Sequence, residues 1–210
     1  DDPLLTTVMI DQLEVHDADG ENPLTLDAQA WIGKDLNKLW FKTDIEQRDG
    51  ETEEAEVQAL YSRAIAPFWN AHVGVRHDAK PTPSRDWGVI ALQGLAPYWF
   101  DVEAAIFVGE SGHVAARFSA EYELLFTQQL ILEPSVEINL YGQNDGETAT
   151  GSGLADANAG LRLRYEIRRE FAPYIGINWD RKLGNSADFA ESQGEVVSDT
   201  QLVVGLRAWF

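Results

Sequence analysis

"GLAPYWFDVEAAIFVGESG", residues 94–112, runs from a proline turn with three consecutive aromatics, through a strand-like alternation, to a small polar turn. In its middle, Phe100, Val102, Ala104, Ile106 and Val108 share one face, and Asp101, Glu103 and Ala105 the other. A period of two with one apolar face marks a strand. Tyr98, Trp99 and Phe100, however, stand at a tight turn, where a soluble protein places polar residues. Related aromatic turns recur as "IAPFWN" (65–70) and "FAPYIG" (171–176).

The same alternation extends in both directions. Leu24, Leu26, Ala28, Ala30 and Ile32 oppose Thr25, Asp27, Gln29 and Trp31; Leu39, Phe41, Thr43 and Ile45 oppose Trp40, Lys42, Asp44, Glu46 and Arg48. Later, Phe118, Ala120, Tyr122, Leu124 and Phe126 oppose Arg117, Ser119, Glu121 and Glu123, and Leu161, Leu163, Tyr165 and Ile167 oppose Arg162, Arg164, Glu166 and Arg168. Almost no helical period interrupts them. Twelve strands are predicted, near 8–16, 24–32, 38–48, 53–65, 70–79, 84–95, 99–108, 113–127, 129–144, 155–168, 171–181 and 200–210. In the first, Val8/Ile10 and Leu13/Val15 disagree on the outward face, which a bulge near Asp11 reconciles. Pro134 inside a strand predicts a bulge or a lost ladder bond.

The connections alternate in kind. Odd-numbered ones are polar and often long ("DADGENP", "RDGETEE", "DAKPTPSRD", "GESG", "NDGETATGSGL", "KLGNSADFAESQGEVVSD"), whereas even-numbered ones ("GKDLN", "APFW", "APYW", "TQQ", "RREFAP") are short and flanked by aromatics. A soluble sandwich or jelly roll has no need to segregate loop lengths by parity. An outer-membrane barrel has short periplasmic turns, long external loops, aromatic girdles and an even strand count. The fold expected is therefore all-β: one transmembrane antiparallel up-and-down barrel over 1–210, with apolar phases toward lipid and polar phases toward the lumen.

Composition agrees. The 210 residues carry 35 Asp+Glu against 16 Lys+Arg, a formal charge of -19. Such a field excludes nucleic acid as a partner, since phosphate binding needs a basic footprint, and favours cations. Without cysteine there is neither a disulfide framework nor a thiolate metal site. No apolar run is long enough for a membrane helix.

The runs "EEAEVQALYSRAIAPFWN", "VGVRHD", "LQGLAPYWFDVEAAIFVGESG", "YELLFTQQLILEP", "GLRLRYEIRREFAPYIGINWDRKLG" and "SDTQLVVGLRAWF" cover most of the chain. In these words the sequence resembles the copper-resistance protein B family of bacterial outer membranes. The resemblance implies an outer-membrane barrel in a periplasmic copper-handling system, with copper ions, outer-membrane lipid and a periplasmic copper-handling protein as partners. Family members usually carry a Met- and His-rich segment before the barrel. This chain starts at Asp1 with Met9 its one methionine, so that segment is expected to be absent. No obligatory cofactor is expected, copper being ligand or cargo, and a monomer is expected.

Candidate metal ligands are His16, His77 and His113 near the long-loop mouth, with Asp17, Asp78 and Glu110 beside them, and His72 near the aromatic turns. Imidazole suits copper, but no pair has a spacing such as HxH. His77 falls on the phase opposite His72, Arg76 and Asp78 and reads as a rim residue. The lumen acids Asp27, Asp44, Glu46, Asp101, Glu103 and Glu121 are the second group. Turn positions set Asp27 opposite Asp44, Asp101 opposite Glu121 and Glu123 opposite Glu133. Like charges facing one another in a sheet are unfavourable unless a cation compensates, and that cation is either a metal or one of Arg117, Arg162, Arg164, Arg168 and Arg207. Two readings stay open: an acidic lane that binds or passes copper, and a plugged docking barrel filled by salt bridges. A lipid-active enzyme is the third, as in outer-membrane phospholipases. Ser62, Ser119 and Ser135, however, are scattered, with no histidine adjoining on a clear shared face, so no enzyme is expected.

Overall fold

Alternation sustained over some two hundred residues makes one antiparallel sheet that rolls up until its first strand meets its last. The computed structural model describes residues 3–17, 22–48 and 50–210. The strands are β1 (Leu5–Asp17), β2 (Leu24–Gly33), β3 (Asn37–Arg48), β4 (Glu51–Ala66), β5 (Trp69–Lys80), β6 (Arg85–Ala96) and β7 (Phe100–Gly109). They continue as β8 (Val114–Glu121), β9 (Leu124–Leu125), β10 (Leu130–Tyr141), β11 (Gly153–Tyr165), β12 (Phe171–Lys182) and β13 (Ser198–Trp209). Each pairs with its sequence neighbours, except that β8 and β9 both pair with β10 and form two pieces of one stave. β1 closes on β13 from Met9↔Trp209 to Asp17↔Leu202, giving a closed barrel of twelve staves. Closure pairs every strand but the two-residue β9 on both sides, as a sheet in lipid requires.

The apolar phase faces out. Ile106, Ile175, Val204 and Ile90 are 54, 60, 62 and 66% exposed, tolerable against hydrocarbon and costly in water. At the periplasmic end Phe68, Tyr98 and Trp99 each take φ 68°, a left-handed backbone unusual for bulky residues. It swings their rings outward on neighbouring hairpins, where Phe68 meets Trp99 edge-to-face at 6.4 Å, in the position of an interfacial aromatic belt.

Two local expectations hold. Register shifts on both sides of β1 between Ile10 and the residues after Asp11, so Val8 and Val15 both face out while Glu14 and His16 turn inward. Opposite Pro134, the ladder with β8 ends at Ser135↔Glu121 and resumes with β9 at Leu132↔Leu124. Across that gap the Tyr122 N–H still donates to the Pro134 carbonyl at 3.1 Å.

Three expectations are corrected. "RDGETEE" is no long loop: β3 and β4 pair up to Arg48↔Glu51, because acidic residues at hairpin ends resemble loop composition. Strand 113–127 is broken at residues 122–123. The last external connection contains a helix, α1 (Gly184–Gln193), capped by Gly194 at φ 77°; only Ser186 and Ala190 of it are buried, too few to leave a helical period. The loop after β1 lies mostly outside the described residues.

The helix is lashed to loop 142–152. Ser186 Oγ accepts the Gly151 N–H at 2.8 Å, and Asn185 donates to Asn144 at 3.1 Å. From β6, Arg85 reaches the same loop, 2.7 Å from Asp145 and 2.8 Å from Glu147. Burial works against ionised Asp145, yet hydrogen bonds from Arg85 and the Glu147 N–H hold its carboxyl below the ordinary value of 3.8. A depressed pKa contributes stability above the unfolded value, lost as pH falls through it and below. Amides of 145–150 should therefore exchange faster, relative to intrinsic rates, below pH 3.8. Arg85→Ala should reproduce the effect at pH 7, and unchanged exchange in both would refute the lashing.

Candidate functional site

Because side chains alternate and hairpins fix register, β2 to β5 carry four inward carboxylates side by side: Asp27↔Asp44, Asp44↔Glu56 and Glu56↔Asp78. The row toward the outside adds Glu46↔Glu54. Half of this set is neutralised. Arg76 forks onto Asp78 at 2.6 and 3.0 Å and reaches Glu56 at 2.9 Å. Arg117 meets Glu56 at 3.0 Å, and Trp87 Nε1 donates to Asp78 at 2.8 Å. Glu46 lies 3.3 Å from Arg48.

Asp27, Asp44 and Glu54 differ. Among the described residues none of the three accepts a hydrogen bond or forms an ion pair. Asp27 feels the charges of Asp11, Asp44 and Lys42, and Glu54 those of Glu46, Asp44 and Asp156. Asp44 and Glu54 are exposed although they lie on the inward phase, so water enters the lumen at this level. The expected Asp27–Asp44 opposition is present without an arginine partner; that contrasts with Glu121, Glu123 and Glu133 nearer the periplasm.

There, Asp101 faces Glu121 in register, and Glu103 is bonded to Lys42. One carboxylate oxygen each of Glu121, Glu123 and Glu133 fall within 4.8 Å of one another, the one such threefold set among the described residues. Two arginines bind this set. Arg164 contacts Glu133 and lies 2.5 Å from Glu123, while Arg207 lies 3.3 Å from Glu133 and 3.7 Å from Glu123. These two arginines stand against the opposed carboxylates.

The four histidines do not converge, contrary to a shared mouth site. His16 is 2.7 Å from Gln201 Oε1 and 3.2 Å from both Thr25 Oγ1 and Glu14. Its ring is committed to the wall. His77 points outward and pairs with Asp86 at 2.6 Å, as its phase requires. His113 sits in the β7–β8 turn, with Nδ1 2.9 Å from the Glu110 carbonyl. His72 is inward, 2% exposed, edge-on to Trp40 at 5.5 Å. Neither of its ring nitrogens has a hydrogen-bond partner, nor does Gln93 Oε1. Ser62 lies directly across from His72 in the sheet and is equally buried. A serine does therefore adjoin a histidine on a shared face, but no hydrogen bond joins them.

Sequence reasoning missed an inward apolar cluster: Leu60, Trp87, Val89, Ala91, Phe107 and their neighbours pack together inside the barrel. Arg76 and Arg117 lie 4.7 and 5.6 Å from the Phe107 ring centroid. The inward phase of β6 is apolar from Trp87 through Ala91 and polar only at Arg85 and Gln93. Glu54 and Glu56 were also missed, though the 54–56–58 spacing places them on the phase of Gln58. On the opposite wall Arg162 holds Glu14 at 2.5 and 3.1 Å. Gly160 leaves the room: a Cβ there would stand 2.2 Å from the Arg162 guanidinium.

A closed barrel with lipid-facing strands, aromatic turns and a charged lumen defines an outer-membrane β-barrel protein, and solved structures agree. The NanC porin superposes with a TM-score of 0.64, covering 97% of this chain and 99% of that one at 13% identity. The KdgM porin gives 0.59 over 98 and 99% at 12% identity, and outer membrane phospholipase A from Escherichia coli 0.53 over 97 and 92% at 13%. At these identities the likeness is one of fold. The family model for copper resistance protein B precursor matches residues 4–210, and the chain belongs to that family. It is 46% identical over 200 residues to a copper resistance protein B homolog of Pseudomonas syringae pv. tomato, covering 95% of this chain and 68% of that protein. With copper resistance protein B of Escherichia coli it shares 44% over 203 residues, 97 and 69% of the two chains. The protein is thus an outer-membrane barrel with a role in copper resistance.

Proposed function

We propose that the barrel admits copper ions from outside into the lane lined by Asp27, Asp44, Glu46 and Glu54 and carries them past Lys42–Glu103 toward Asp101 and Glu121. The observation behind this reading is the unneutralised set Asp27, Asp44 and Glu54 on wetted inward positions. The fully buried lumen acids Glu14, Asp78 and Glu133 have arginine partners and Asp156 and Asp180 amide ones, so this set is a surplus that a cation compensates. Carboxylate and imidazole suit divalent copper, and His72, with both ring nitrogens unbonded, is the imidazole the lumen offers. The acidic field raises local cation concentration; selectivity needs ligands such as His72 in addition.

Copper flux into proteoliposomes tests this. The wild-type barrel should pass copper, and Asp27→Asn/Asp44→Asn/Glu54→Gln should lower the flux at least about tenfold, the low end of what a focused field contributes. His72→Phe should weaken copper affinity in titration, whereas His77→Phe should not. Undiminished flux in the triple variant would reject the lane. Absence of flux in the wild type, with binding retained, would favour the second reading, a docking barrel that holds copper for a periplasmic partner. The apolar cluster and the Arg164/Arg207 knot, both on inward positions, speak for that alternative. We read the protein as non-enzymatic, because Ser62 and His72 are buried and unbonded to each other.

A further inference from the structure

We propose that a groove at the periplasmic rim, between turns 125–129 and 166–169, binds the phosphodiester headgroup of an anionic phospholipid from the inner leaflet of the outer membrane. The groove has a volume of about 710 Å³, and Arg168, Arg169, Thr127, Gln128, Leu125 and Ile167 line it. This is the size of a small-molecule site.

Charge singles it out. In a chain with 35 acidic residues to 16 basic ones, the inward arginines Arg76, Arg117, Arg162, Arg164 and Arg207 are all ion-paired. The side chains of Arg168 and Arg169 have no hydrogen bond or ion pair among the described residues. Glu166, the acid that also lines the groove, lies 3.9 Å from Arg164, and Glu170 does not line it. Two unpaired guanidiniums beside the Thr127 and Gln128 side chains suit a phosphate oxygen cluster.

Both walls are fixed before any ligand arrives. Arg168 and Phe171 exchange backbone hydrogen bonds of 3.3 and 3.1 Å, and the Glu166 N–H donates to the Gln129 carbonyl at 2.8 Å. Trp209 Nε1 donates to the Arg169 carbonyl at 2.8 Å, while Thr127 Oγ1 accepts the Gln129 and Leu130 N–H groups at 3.2 and 2.9 Å. The neighbouring side chains choose the ligand's source. Leu125, Phe126 and Ile167 are exposed beside the groove, at the rim that carries the aromatic turns. An acyl chain covers such a shelf, and free phosphate does not.

The inference rests on the membrane topology and is independent of the copper path. Native mass spectrometry of the intact barrel, released from detergent containing phosphatidylglycerol or phosphatidylcholine, tests it. One phosphatidylglycerol should be retained in preference to phosphatidylcholine. Arg168→Gln/Arg169→Gln should lower that retention about thirtyfold, the scale of two basic residues at a charged lipid surface. Arg168→Lys/Arg169→Lys should keep part of it, and Lys80→Gln/Arg181→Gln at the opposite rim all of it. Equal retention of the two lipids by the wild type overturns the proposal even if the glutamine variant fails to fold. So does undiminished retention in a folded glutamine variant, or displacement of the lipid by millimolar inorganic phosphate.

Discussion

Glu14→Leu is expected to destabilise the barrel by about 3–5 kcal/mol, the cost of leaving a buried charge without its partner. Glu14 is 1% exposed and Arg162 5%, and they meet through two hydrogen bonds of 2.5 and 3.1 Å. Removing the carboxylate strands the guanidinium with Gln12 and Ser135, each 3.2 Å away. Neither is charged. Glu14→Leu/Arg162→Leu should regain most of the loss, since a well-packed apolar pair often replaces a buried ion pair at little cost. Urea unfolding in phospholipid vesicles, followed by tryptophan fluorescence, measures both variants. A single variant no less stable than the double would show that the pair is not the fastening described.

Ile90→Arg should cost about 2–4 kcal/mol in a bilayer, the penalty of a cation at mid-depth on a barrel's lipid face. Ile90 sits across from Val73 on one side and Ile106 on the other, in the middle of the outward apolar band. Leu36→Arg, in the periplasmic turn 34–36 and equally exposed, should cost no more than about 1 kcal/mol. The contrast between depths is the informative quantity. On a water-facing sheet both changes would be near neutral, so equal effects would contradict the assignment of the apolar phase to lipid.

Much of the lumen was legible from residue order because tight turns fix register. The turn at 34–36 sets Asp27 opposite Asp44, and that at 110–113 sets Asp101 opposite Glu121; both follow from counting outward. The Asp11 bulge was legible because the apolar phase of β1 reverses there. Cross-lumen partners were not. Arg117 meets Glu56 from 61 positions away, and Arg162 meets Glu14 from 148, distances set by closure and strand stagger and not by local spacing. Nor was the interior cluster legible: Val89 lies in the middle of β6, where both phases are apolar and alternation carries no sign, and Phe107 stands on the phase of β7 that Asp101 and Glu103 mark as polar. His72 could be placed inward, but its lack of partners depends on Trp40, Ser62 and Gln93 from three other strands.

The seam between β1 and β13 also governs the order of events as the chain folds. It pairs Met9 with Trp209, so nearly the whole chain must be in place before it can zip, and contacts of such separation form late. The Glu14–Arg162 fork and the His16–Gln201 bond span the same closure. Interactions made after the rate-limiting step slow escape from the native state more than they hasten arrival. The buried seam pairs therefore act as a latch: they set how long a finished barrel lasts in its membrane and do little for how fast it is built.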